Sequence, residues 1–161
     1  MLSSDHAEID GLLEKAFAAL ADSDGASAFE HVDLLWARLA MHIRAEHLHL
    51  FPALLAANPS PGVIETLERL KEDHNYFMRE FVQVIKLMRG DPGKLPADIR
   101  DHVAGTLRGV KQRLEHHNRI EEGEIYPLAE GLSLSDGKSE LPAKIKKELD
   151  NLPPRFANRD Q

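Results

Sequence analysis

The sequence predicts an all-α protein: an up-down-up-down antiparallel four-helix bundle with a short C-terminal tail. Three observations predict it. Four segments carry apolar residues at 3- and 4-residue steps, the period of an amphipathic helix. Proline and glycine clusters separate these segments, near Asp22–Gly25, Asn58–Gly62, Gly90–Pro96 and Gly131–Gly137. Strict alternation and β-branched runs are missing, so strands have no support. Short connections between consecutive long helices favour antiparallel neighbours.

The expected helices cover 4–21, 27–57, 62–89 and 97–130. The first and third repeat each other at an offset of 68: Leu2, His6, Ile9, Leu13 and Leu20 match Leu70, His74, Phe77, Phe81 and Met88. In both, an aspartate precedes the histidine. The second and fourth repeat at an offset of 75, with Ala28, Val32, Leu35 and Leu39 matching Val103, Leu107, Val110 and Leu114. The same steps then bring His42 and Glu46 onto the positions of His117 and Glu121. Ten residues beyond each of these histidines stands a proline, in Phe51-Pro52 and Tyr126-Pro127, where a helix should end or bend. The chain therefore reads as two helix-pair halves related by internal duplication. Residues 1–131 form the expected bundle. Residues 132–161 form a tail, expected to be loosely docked or disordered, in which Leu141–Leu152 fits a short helix.

At 161 residues the chain falls within the size of one domain with a real core. It contains no cysteine, which excludes disulfides, zinc-thiolate sites, iron–sulfur clusters and thiol nucleophiles and fits a reducing compartment. A formal charge of −7 argues against a nucleic-acid partner. No apolar stretch approaches the roughly 20 residues of a membrane span, and Met1–His6 lacks the basic start and apolar run of a signal peptide. A soluble cytoplasmic protein is expected, with no membrane partner. Its most unusual compositional feature is nine histidines.

Residues four apart on a helix share one face. His42-x-x-x-Glu46 and His117-x-x-x-Glu121 therefore each present an imidazole beside a carboxylate, and both pairs lie on the apolar seam. A buried, ionised carboxylate is costly unless compensated. Depth along the bundle tests whether these residues can meet. His6 lies about 24 Å from the first turn and His42 about 22 Å from the start of its helix. Glu46 and His74 each lie about 18–20 Å from the next turn. All four helices thus deliver polar core residues to one level. Four imidazoles and two carboxylates without sulfur suit iron, manganese or zinc better than copper(I) or calcium. Two carboxylates can bridge two ions, leaving two histidines for each and open positions for a small diatomic ligand. Dinuclear carboxylate sites inside helical bundles are built in this way.

The stretches His42-Ile43-Arg44-Ala45-Glu46 through Pro52 and His117-Asn118-Arg119-Ile120-Glu121 through Pro127 resemble the hemerythrin family, in its HHE cation-binding branch. Asp5-His6 with Ile9 and Asp73-His74 with Phe77 complete the resemblance, which covers about residues 2–130. It implies a non-heme diiron centre, oxo- or hydroxo-bridged, that binds dioxygen or a related small ligand and serves oxygen carriage, oxygen or iron sensing, or nitrosative-stress repair. It makes His6, His42, His74 and His117 terminal ligands and Glu46 and Glu121 bridging ones. Oxygen carriers of the family have a fifth histidine one turn after the third-helix histidine; here that position is Met78. The chain is accordingly expected to be a ligand-binding diiron protein for sensing or handling, rather than a dedicated enzyme. A diiron enzyme with oxidase, peroxidase or repair activity is the alternative.

The remaining polar residues receive ordinary readings. Asp10, one turn after His6, reads as a surface aspartate. His116 falls off the core face, and His49 falls near the seam as a packed or half-exposed side chain. His31, His47 and His102 are expected on wet faces, and Glu122 and Glu124 on a solvated one. Tyr76 and Tyr126 could donate hydrogen bonds to a bound oxygen species, but both lie off the strict seam and are expected to be structural.

Overall fold

The computed structural model describes residues 2–136 and 140–156, the side chains of 133–136 excepted. It is helical, with no strand among the described residues. Helix α1 spans Leu2–Ala21 and α2 spans Gly25–Ala45. A π-helical turn, Glu46–Leu50, joins α2 without interruption to α3, Phe51–Ala57. Helix α4 spans Pro61–Met88, and a short 3₁₀ turn, Pro92–Lys94, precedes α5, Ala97–Ile120. A second π-helical turn, Glu121–Ile125, leads into α6, Tyr126–Asp136. Helix α7, Leu141–Leu149, and a 3₁₀ turn, Pro154–Phe156, complete the described chain.

Local chemistry explains the boundaries. Ser23 takes a positive φ of 57° after α1, and Asp24 caps α2 by accepting the Ser27 N–H at 3.0 Å. Ser60 caps α4, with Pro61 in the first turn, where its missing N–H costs nothing. Gly25 lets the backbone of the α4–α5 loop approach, since a Cβ there would meet the Pro92 carbonyl oxygen at 2.0 Å.

The long helices pack through two apolar clusters. One contains Ile9, Leu13, Leu35, Leu39, Phe77, Phe81, Leu107 and Leu114; the other contains Leu2, Leu50, Phe51, Leu54, Leu67, Leu70 and Ile125. Helix α1 runs from Leu2 in the second cluster through His6 to Ile9 in the first. Helix α4 runs from Leu70 through His74 to Phe77, and α5 runs from Leu114 through His117 to Ile125 in the π turn. A polar layer is therefore sealed above and below by hydrocarbon. Paired contacts run in opposite directions along neighbouring helices: Asp5 meets His42 and Glu8 meets Arg38, while His6 meets Glu122 and Glu14 meets Lys111.

One local expectation is narrowed and one is corrected: of the end or bend expected at each proline, the end is ruled out. Neither Pro52 nor Pro127 ends its helix. A proline clashes with the carbonyl four residues back, and the π turn just before it widens the coil by one residue. The Phe51 N–H bonds to the Glu46 carbonyl and the Tyr126 N–H to the Glu121 carbonyl, five residues back. The break expected at 131–137 is also displaced, because α6 continues to Asp136; Gly137 lies outside the described residues.

Residues 140–156 pack against the rest rather than hanging loosely. Helix α7 lies on α2 and the first π turn, with Ile145 buried. Arg155 Nη2 reaches Asp33 Oδ1 at 3.0 Å, and Phe156 is 1% exposed. Residues 157–161 of the expected tail lie outside the described residues. Phe156→Ala should therefore cost about 3–5 kcal/mol in urea unfolding, as core phenylalanine truncations do; a change within about 0.5 kcal/mol would mark a tail that contributes nothing.

Candidate metal centre

The six residues singled out by spacing meet in the sealed layer. His6, His42, His74 and His117 are 2–4% exposed, and Glu46 and Glu121 are 0% exposed. Two groups of them place their donor atoms within 4.8 Å of one another: Glu46, His74, His117 and Glu121 form one, and His6, His42 and Glu121 the other. Glu121 belongs to both.

The histidines converge in pairs. Nε2 of His6 and Nε2 of His42 stand 3.2 Å apart, and those of His74 and His117 stand 3.1 Å apart. Two imidazole nitrogens bound at about 2.0–2.1 Å to one ion, at a right angle, stand about 3 Å apart. Each glutamate spans both pairs. Glu46 Oε1 lies 3.3 Å from His42 Nε2 and its Oε2 lies 3.2 Å from His74 Nε2. Glu121 Oε1 lies 2.9 Å from His117 Nε2 and its Oε2 lies 3.2 Å from His6 Nε2. Glu46 Oε2 and Glu121 Oε1 are buried without a hydrogen bond of good geometry. Two anionic oxygens left so in an apolar interior are expensive, and a cation is the partner whose charge fits them. The donor set and its orphaned oxygens thus fit a dinuclear metal site.

Every imidazole is oriented from behind through its Nδ1. His42 donates to Asp5 Oδ2 at 2.7 Å, and His117 donates to Asp73 Oδ2 at 3.2 Å. Arginines hold both aspartates: Arg38 Nη2 lies 3.4 Å from Asp5 Oδ1, and Arg113 Nε lies 2.6 Å from Asp73 Oδ1. His6 donates to Glu122 Oε1 at 2.8 Å, and His74 Nδ1 pairs with His47 Nε2 at 2.8 Å. With Nδ1 occupied, Nε2 is turned inward, the arrangement that supporting residues give to metal-binding histidines.

Several sequence readings need correction. His47 is half-buried against His74 and Phe51 rather than on a wet face. Glu122 is exposed, yet its carboxylate tip reaches inward to His6. Tyr126, read as off the seam, is buried in the donor layer. Its hydroxyl lies 2.9 Å from Glu46 Oε1, 3.0 Å from Glu121 Oε2 and 3.0 Å from His6 Nε2. Five α-helical steps past Glu121 would have turned it about 140° away; the π turn brings it back above Glu121. The signal was the aromatic-proline pair after each His-x-x-x-Glu, and for the aspartates it was the repeated Asp-His dipeptide.

The other residues fall elsewhere. Asp10 stays exposed, His49 faces Glu148 at 3.6 Å, His116 is exposed beside Arg69, His102 and Glu124 are exposed, and His31 is half-buried. Met78 packs against the first apolar cluster. A cleft of about 510 Å³, lined by Ser3, His6, Asp10, Asn118 and Glu122 among others, reaches the layer from solvent.

Without metal, His42, His117 and Tyr126 hold their protons strongly, while Glu46 holds its charge. Burial pushes the His42 imidazole down, but the Glu46 charge and the Asp5 hydrogen bond outweigh it and raise its pKa to about 10. Burial likewise opposes the charge on His117, yet Glu121 holds its pKa up. Burial pushes Glu46 up, and the His42 charge reverses this to well below the usual value. Burial and the charges of Glu46 and Glu121 raise Tyr126 well above an ordinary tyrosine. The His42 contribution to stability is fully present below its unfolded pKa of 6.5 and is lost as pH rises through about 10. Metal-free protein should accordingly lose thermal stability from pH 7 to pH 10, with a smaller slope in His42→Gln; a flat profile would contradict the buried ion pair.

A family model for the Hemerythrin HHE cation binding domain matches residues 1–129. Comparison with curated proteins and with solved structures gives no match. The matched span contains all six clustered side chains and both π turns, and the chain belongs to the hemerythrin HHE cation-binding family.

Proposed function

We propose that this protein is a non-heme diiron protein that binds dioxygen or a related small ligand. In this reading His6 and His42 hold one ion, His74 and His117 hold the other, and Glu46 and Glu121 bridge them. The four long segments form an up-down-up-down bundle around the pair, a topology supported by the opposed contacts along α1–α2 and α1–α5. One observation carries the proposal: each buried glutamate directs one oxygen toward each histidine pair. The donor chemistry admits manganese and zinc as well as iron; membership of the family favours iron.

Iron, when bound, supplies open coordination positions and a redox couple for a small ligand. The chain's own residues do the rest. The two apolar clusters exclude bulk water from the layer, and the cleft beside His6 offers small molecules an approach. Asp5, Asp73, Glu122 and His47 hold the imidazole rings in orientation. The Tyr126 hydroxyl places a hydrogen-bonding group inside the layer. The cysteine-free composition fits a reducing compartment, consistent with a cytoplasmic protein.

A diiron enzyme of oxidase, peroxidase or nitrosative-stress repair type is the second reading. It draws on Met78, which lies in the apolar cluster where oxygen carriers of the family place another histidine. Reversible, stable adducts with dioxygen or nitric oxide support the binder; turnover of peroxide or a nitrogen oxide far above that of free iron supports the enzyme.

Glu46→Ala and Glu121→Ala should each cut iron from about two ions per chain to one or fewer, measured by elemental analysis of folded protein. Unchanged iron in both variants would refute the bridging assignment. Metal uptake at pH 7 should also release protons, because His42 must surrender its own to ligate. Uptake measured in buffers of different ionisation enthalpy would show this, and buffer-independent heats would contradict it.

A further inference from the structure

The internal duplication is not a perfect copy around the donor layer. One residue after each glutamate, His47 matches Glu122; one residue before each proline, Phe51 matches Tyr126. Both differences fall on the same side. Beside His74, the Phe51 ring lies nearly parallel to the imidazole at 6.0 Å between centroids, and it offers no donor atom. His47 backs the same histidine with a second imidazole. Beside His6, an exposed-edge carboxylate from Glu122 takes that place. There the Tyr126 oxygen lies 3.0 Å from His6 Nε2 and 3.4 Å from His42 Nε2, whose own separation is 3.2 Å. The same oxygen stands 2.9 Å from Glu46 Oε1 and 3.0 Å from Glu121 Oε2. Two imidazole nitrogens and two carboxylate oxygens converge on one phenolic oxygen at distances typical of donors that share a cation.

We propose that Tyr126 is a seventh protein donor, through its phenolic oxygen, to the ion held by His6 and His42, and that the ion at His74 and His117 has no such donor. The proposal rests on the diiron reading above. Ligation breaks the Tyr126 O–H bond, forms an oxygen–iron bond and releases the proton to solvent. The phenolate adds one negative charge and a hard oxygen ligand to this position. The Glu122 carboxylate behind His6 accepts from its Nδ1 and keeps its Nε2 turned toward this position. Hard, anionic donors select the more highly charged ion. The two positions are therefore unequal: the His6–His42 position stabilises ferric iron, and the His74–His117 position tolerates ferrous iron.

The test uses the full chain, loaded with ferrous iron without oxygen and then oxidised with ferricyanide. Oxidised wild type should gain a visible phenolate-to-iron charge-transfer band with resonance-enhanced phenolate ring vibrations. Tyr126→Phe should keep its iron and lose both signals, while Tyr76→Phe should keep both, since Tyr76 lies against Arg113 outside the layer. Mössbauer spectra of oxidised wild type should show two unequal iron environments in equal amounts, a readout that stands even if Tyr126→Phe fails to fold. Fully loaded, oxidised wild type without the phenolate signals, or Tyr126→Phe that retains them, would overturn the proposal and leave the diiron reading intact. Two equivalent irons would overturn it in the same way. Wild type that takes up no iron would overturn both.

Discussion

Two carboxylates with no exposure at all, in the middle of the apolar interior of a helical protein, set the terms for everything around them. A charge taken out of water must be answered inside the protein. Here the answer comes from four imidazoles delivered by four different helical segments, and it is incomplete, because one oxygen of each glutamate finds no hydrogen-bonding partner. A polar layer of this kind does not arise as a by-product of packing. Hydrocarbon clusters close it on both sides, so the protein keeps water away from groups that water would otherwise satisfy. The proposed pair of cations, bridged by the carboxylates, would resolve the imbalance, and the family to which the chain belongs is a cation-binding one.

The layer is held from outside by a second ring of groups. Arg38 and Asp5 stand behind His42 as Arg113 and Asp73 stand behind His117. These trios repeat at the offsets of the helices that carry them. The π turns belong to the same economy of form. Each begins at a buried glutamate, accommodates a proline that would break an α-helix, and rotates the following aromatic onto the donor layer. Phe51 and Tyr126 reach the histidines by this device, one as a ring against a ring and the other as a hydroxyl among the donors.

The all-α character, the helix spans and the six clustered residues were legible because they obey simple periodicity. An i, i+4 pair on an apolar seam, written twice, can be read without coordinates. What escaped was whatever departs from that period. Tyr126 lies off the seam on an ideal α-helix, and only an extra residue in the coil returns it. The prolines announced a perturbation, but a π turn and a helix end look alike in sequence. His47 and Glu122 sit one step around from the seam, where flank residues normally face water; their reach to His74 and His6 depends on side-chain length and on helix separation. Asp5 and Asp73 were visible as repeated Asp-His dipeptides, yet each serves a histidine on the neighbouring helix, a pairing that no spacing reveals. The docking of α7 rests on isolated apolar residues, Ile145 and Phe156, too few to form a pattern.

The most direct test of the dinuclear site is iron-edge anomalous diffraction from crystals of the iron-loaded protein. Two peaks are expected, one against His6 and His42 and the other against His74 and His117, each within ligand distance of Glu46 and Glu121. A single peak, or iron bound outside this layer, would contradict the account.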